Sequence, residues 1–166
     1  TLAGIKDSKS VTHKRRATMR ETIVATAAYG LGEVTHAEID GYGLGEARRL
    51  VFQRALDDYV ARGHPMPTQL IVDGTLFAPW RDVPYECRPK ADATVPCVSA
   101  ASILAKTTRD AQVLALCEAD PSLHAKYDLR NNKGYLSPQH IAGLRAHGYT
   151  AHHRRSYRIR ALEAEL

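Results

Sequence analysis

Cysteine is scarce in these 166 residues: there are three, Cys87, Cys97 and Cys117. They form no Cys-x-x-Cys pair, and an odd count of this size offers no disulfide framework. A reducing compartment, the cytoplasm, is the expected location. Long apolar runs are missing too. Nothing approaches the roughly 20 residues of a membrane-spanning helix, and the N-terminus has no apolar signal-peptide core, so a soluble chain is expected. Eight histidines are present without a His-Glu-x-x-His or a Cys/His zinc spacing, which leaves them expected as scattered, solvated basic residues. The run Gly41-Tyr42-Gly43-Leu44-Gly45 has the wrong spacing for a dinucleotide fingerprint, and no strand feeds it. Repeats, linkers and low-complexity tracts are absent.

What is present reads as a single domain, residues 1–166, long enough to bury a real core. Hydrophobic and charged fractions of 44% and 25% are those of an ordinary globular protein, which excludes a disordered chain. The net charge of +5 favours a polyanionic partner.

Along the chain, Thr12 is placed to cap a first helix running through the basic stretch His13 to Arg20 and ending near Val24. Thr26 to Val34 reads as a strand of alternating faces, weakened by Gly30 and Gly32. Thr35-His36-Ala37-Glu38 is a capping box that predicts a helix start. The glycine run breaks that helix, and a second piece from Glu46 stops at Gly63. Gln69 to Asp73 and Tyr85 to Arg88 are short predicted strands. A helix follows from Ser99 to Ala119, its first turn small enough to lie close on a sheet. Ser137 as cap, Pro138 at the first position and Gly148 beyond the end frame a last helix.

Two carboxylates stand out. Asp73 closes the apolar run Leu70-Ile71-Val72, and Asp92 lies 92 − 73 = 19 positions on, at the end of a second extended run. The carboxyl ends of strands are where α/β sheets gather ligands, so the two acids form half of a metal site. Asp110 follows Arg109 within a helix, where a surface ion pair is the plain expectation. The guanidinium cluster Arg154, Arg155, Arg158 and Arg160 beside Ser156 and Tyr157 suits phosphate contacts.

Four segments, in this order, carry a resemblance: Val72-Asp73-Gly74, Lys90-Ala91-Asp92 with Val98-Ser99-Ala100-Ala101-Ser102-Ile103-Leu104-Ala105-Lys106, Lys133-Gly134-Tyr135-Leu136-Ser137, and His153-Arg154-Arg155-Ser156-Tyr157. They look like type 2 ribonuclease H, and Asp7-Ser8-Lys9 is similar to that family's Asp-Ser-Lys stretch. The resemblance implies an α/β, RNase H-like fold: a mixed sheet flanked by helices, with a helical C-terminal part. It implies that Asp73 and Asp92 are catalytic metal ligands for Mg²⁺ or Mn²⁺, that Tyr135 in Lys133-Gly134-Tyr135 stacks on the sugar at an RNA–DNA junction, and that Lys9 contacts phosphate. Asn132 stands where family members usually have His.

Members of the family open with two strands carrying an Asp-Glu pair and Gly-Arg-Gly, and neither pattern occurs in this chain. The resemblance therefore implies a sheet without its first two strands, in a chain that is part of a longer product or is completed by another polypeptide. The family's four carboxylates hold two metal ions; two of the four are recognised here. The expected activity is cleavage of the RNA strand of RNA–DNA hybrids, or of DNA at embedded ribonucleotides. The alternative is a non-catalytic or partner-completed module that binds such hybrids. An unrelated metal-dependent nuclease with a similar acid pair is a third reading.

Overall fold

A computed structural model describes residues 12–163 of the chain. They form eight helices and two strands, in the order α1 (His13–Thr26), α2 (His36–Ala61), β1 (Leu70–Asp73), β2 (Tyr85–Arg88), α3 (Ala91–Thr94), α4 (Pro96–Ala119), α5 (Pro121–Tyr127), α6 (Leu129–Asn132), α7 (Pro138–His147) and α8 (Arg160–Glu163). The chain packs as two compact units. One takes the described residues up to Val34 with Gly45–Thr107, the other Thr35–Leu44 with the described residues from Thr108. Among the described residues, no helix is long and apolar enough to cross a membrane.

In the first unit, the Thr12 hydroxyl accepts from the Arg15 backbone N–H, which starts α1 as its sequence predicts. Met19, Ile23 and Ala27 follow at fourfold spacing and turn one face toward Ala100, Ile103 and Leu104 of α4. Removing the side chains of Ile23, Ile103 and Leu104 from water contributes about 1.5–3 kcal/mol each. The helix runs two residues past its expected end.

The segment after it corrects an expectation. Thr26 to Val34 has the alternation of a strand, yet Thr26 ends α1, and 27–35 is neither helix nor paired strand. It lies along α2 instead. A Cβ on Gly30 would sit 2.1 Å from the Ala55 carbonyl oxygen, and one on Gly32 2.1 Å from that of Val51, so only glycine permits this approach. Side chains of α2 take the place of ladder partners: the Leu31 N–H donates to Asp58 at 2.8 Å, and Arg54 donates to the Glu33 carbonyl at 2.7 Å. The two glycines that weaken a strand are those that fit the backbone to a helix.

β1 and β2 pair in parallel, with Leu70 opposite Tyr85 and Asp73 opposite Arg88. The Leu70 N–H donates to the Pro84 carbonyl, and the Gly74 N–H to that of Arg88. Among the described residues this is the whole sheet. The structure is thus α/β, as expected, with far more helix than sheet. Trp80, in the crossover, is buried and donates its indole N–H to Asp57 at 3.0 Å.

The second unit begins with the capping box. Glu38 N–H donates to the Thr35 hydroxyl at 3.2 Å, and Thr35 N–H donates to the Glu38 carboxylate at 2.8 Å. The helix is kinked at Gly43, whose φ of 81° lies in the left-handed region, where the glycine run was expected to break it. The core of this unit is Val113, Cys117, Leu123, Tyr127, Leu129, Leu144 and Ile159. A Cβ on Gly143 would meet the Lys126 carbonyl oxygen at 2.2 Å, so α7 and α5 touch at their backbones. Ser137 caps α7 by accepting from the His140 N–H, Pro138 opens it and Gly148 closes it, all as predicted.

Candidate active site

Asp73 is the last residue of β1, and its Oδ1 accepts from the Ala91 backbone N–H at 2.9 Å. Ala91 opens α3, so this bond ties the end of β1 to the turn that carries Asp92. Lys90 makes the turn in a left-handed conformation, φ 61°, directly after β2 and Pro89. Asp92 is only 7% exposed, and its backbone carbonyl accepts from the Ser99 hydroxyl, itself buried. α4 starts at Pro96, three residues before its expected start at Ser99, so Ser99 lies in its first turn. Two acids distant in sequence thus lie on neighbouring turns at the carboxyl end of a parallel pair. Their oxygens are the donor type a hard divalent cation takes. Mg²⁺ is commonly held by one or two carboxylates, with substrate phosphates and waters filling the shell, so the pair fits that chemistry. Among the described residues no group of three His, Cys, Asp or Glu side chains is arranged to hold a metal by itself.

The substrate-binding candidates Lys133, Gly134, Tyr135, Arg154 and Arg155 belong to the second unit; Lys9 lies outside the described residues. Lys133 and Gly134 both take positive φ, 53° and 84°, to reverse the chain after α6. Asn132, which replaces the histidine implied by the resemblance, organises this loop. Its Oδ1 accepts from the Gly134 N–H at 2.8 Å, and its amide donates to the Tyr127 carbonyl at 2.7 Å. Tyr135 N–H donates back to the Asn132 carbonyl at 2.9 Å. The loop is therefore held by its backbone, while the Tyr135 side chain, 65% exposed, faces outward. The Lys133 ammonium donates to the Arg130 carbonyl.

Arg154 lies over the Tyr157 ring at 4.9 Å, and Arg155 over Tyr149 at 5.5 Å. The backbone beneath them is fixed by a residue that no sequence pattern selects. Asp40, on the first half of α2, accepts from the Arg155 N–H at 2.7 Å, the Ser156 N–H at 3.0 Å and the Ser156 hydroxyl at 2.6 Å. The Arg155 N–H, then the Ser156 hydroxyl and N–H, hold its carboxyl down at about 2. No local pattern announces a bond spanning more than a hundred residues.

Two further expectations are corrected. Asp110, expected as a surface ion-pair residue, is 5% exposed. The histidines are not all solvated: His140 is 3% exposed and its Nε2 lies 3.0 Å from Nε2 of His153. A signal for His140 was present, because it shares the inward stripe of α7 with Gly143 and Leu144 at i+3 and i+4.

The model of the Ribonuclease HII family matches residues 1–160. The chain belongs to the ribonuclease HII family. A protein of Polynucleobacter asymbioticus named Ribonuclease HII is 36% identical over 157 residues, 94% of this chain and 78% of that one. One of Ralstonia nicotianae with the same name is 41% identical over 157 residues, again 94% of this chain and 64% of its own length. A third, of Sphingopyxis alaskensis, is 38% identical over 158 residues, covering 74% of its length. Ribonuclease HII names an endoribonuclease, so membership makes this an enzyme family of phosphodiester hydrolysis.

Proposed function

We propose that this member of the ribonuclease HII family cleaves the RNA strand of RNA–DNA hybrids, or DNA at embedded ribonucleotides, with Asp73 and Asp92 holding Mg²⁺ or Mn²⁺. The observation that carries the reading is the bond from Ala91 N–H to Asp73, which joins the two acid-bearing turns. A divalent cation there supplies Lewis-acid polarisation of the phosphate and charge stabilisation of the leaving oxygen. Asp73 and Asp92 would hold it, and the Ala91 N–H fixes one Asp73 oxygen so that the other is oriented.

Lys133, Gly134 and Tyr135 are proposed as the substrate loop. A ring held on a hydrogen-bonded backbone stacks on a sugar or base with little loss of side-chain freedom. Arg154 and Arg155, stacked on tyrosines and stiffened by Asp40, are proposed to bind phosphate, and Lys9 likewise. Cys87, Cys97 and Cys117 are free thiols, which supports a cytoplasmic location.

A second reading is favoured by one observation: two carboxylates, with no third metal-type side chain grouped with them among the described residues. On that reading the chain binds hybrids and cuts only when another acidic segment completes the metal shell. One assay separates the two. The purified protein is given a duplex with a single embedded ribonucleotide and a long hybrid, with Mg²⁺ or Mn²⁺ or with EDTA. Metal-dependent cleavage supports the first reading. Binding of both substrates without cleavage supports the second, and neither binding nor cleavage overturns both.

A further inference from the structure

The His140–His153 pair has every ring nitrogen engaged. The Thr150 backbone N–H donates to His153 Nδ1 at 3.0 Å, and the Thr150 hydroxyl lies 2.8 Å from the same atom. An amide only donates, so His153 Nδ1 carries a lone pair and the ring proton sits on Nε2. That proton points at His140 Nε2, 3.0 Å away, which accepts it. The His140 proton is then on Nδ1, 3.0 Å from the Tyr135 carbonyl oxygen. One set of tautomers satisfies all these contacts. The donors run from Thr150 through His153 and His140 to the carbonyl of Tyr135, which also accepts from the Ser137 N–H at 2.8 Å.

We propose that His140 and His153 are positioning residues for Tyr135: as a neutral, tautomer-locked pair they fix the backbone from which its ring meets substrate. The substrate half of this rests on the function proposed above; the positioning half rests on the hydrogen bonds alone. A proton added to either ring would set two N–H donors face to face. The surroundings oppose it. Tyr127 from α5 packs on both rings and on His147 of α7, while Tyr149 packs on His153. Burial first, and then the positive charge that Arg155 carries and that His140, His152 and His36 would carry if protonated, lower the His153 pKa to about 4.

The test has three readings. In wild-type protein, imidazole ¹⁵N spectra at about pH 7.5 should show His140 protonated on Nδ1 and His153 on Nε2, with His153 still neutral at about pH 6. The opposite tautomers, or ordinary titration of His153 near 6.5, would overturn the pair. His140→Phe keeps the ring and removes its nitrogens. Amide exchange at Tyr135 and Ser137 should then rise about tenfold, with the α5 amides unchanged. The KM for the single-ribonucleotide duplex should rise about tenfold with kcat within about twofold of wild type. Unchanged exchange overturns the positioning, whatever KM does. Faster exchange with an unchanged KM overturns the substrate half and leaves the reading of Tyr135 as a junction residue without support.

Discussion

Gly32→Ala tests whether the 27–35 segment is held by close packing on α2. The new Cβ would lie 2.1 Å from the Val51 carbonyl oxygen and 2.6 Å from the Ala55 nitrogen, both backbone atoms of a continuous helix. A carbon and a carbonyl oxygen sit comfortably at about 3.3 Å, so the segment must lift by roughly 1 Å. Overpacking of this kind costs about 1–3 kcal/mol. Lifting also strains the bonds from Leu31 to Asp58 and from Arg54 to the Glu33 carbonyl. A hydrogen bond to a charged group contributes about 1.5–3 kcal/mol, and partial weakening of both adds roughly 1–2 kcal/mol. We expect a total of about 2–5 kcal/mol in urea melts, and a midpoint lower by about 4–20 °C on heating. Gly41→Ala is the control. It sits in helix with nothing within 4 Å of the added Cβ, so it should be neutral or stabilising by up to about 1 kcal/mol. A Gly32→Ala protein that melts within about 0.5 kcal/mol of wild type would refute the packing argument.

Tyr135→Phe should be tolerated, whereas Tyr135→Ala should cost about one to two decades of cleavage at a single embedded ribonucleotide, since stacking contributes about 1–3 kcal/mol. Rates on that duplex and on a long hybrid check this, with a smaller effect on the hybrid. Arg154→Ala and Arg155→Ala should weaken all nucleic acids alike and flatten the dependence of log affinity on log salt, by about one unit of slope for each phosphate no longer neutralised. His153 sets a pH dependence. Its folded pKa of about 4 lies below the ordinary 6.5, so the unfolded chain binds more protons between those values and stability falls as pH drops from 6.5 toward 4. Allowing for its partial exposure, the decrease is on the order of 2 kcal/mol, and the stability gap between wild type and His153→Gln in urea melts should narrow over that window.

Much of this architecture is written locally. The Thr35–Glu38 capping box, the Ser137-Pro138 start and Gly148 stop of α7, the Gly43 break and both strands follow from short-range chemistry. Asp73 is legible for the same reason, since it closes an extended run, whereas Asp92, expected at the end of a second such run, lies past β2 in the short helix α3. What escapes such a reading is decided by distant partners. Gly30 and Gly32 read as flaws in a strand because the α2 carbonyls they accommodate lie some twenty residues away. Asp40 carries no local mark of its bonds to Arg155 and Ser156. His140 and His153 look like two basic residues among eight, and only the fold brings their rings together. α5 and α6 are hidden because each is short and starts from an aspartate that also serves as a turn residue.

The central claim is that Asp73 and Asp92 together make a metal-dependent ribonuclease site. The measurement that tests it most directly is cleavage of a duplex with one embedded ribonucleotide by wild type, Asp73→Asn and Asp92→Asn, in Mg²⁺ and in Mn²⁺, beside hybrid binding in EDTA. Wild-type cleavage should require the metal, each substitution should lower it by at least about two decades, and binding without metal should stay the same or improve. Metal-dependent cleavage that survives either substitution within about threefold would contradict the assignment.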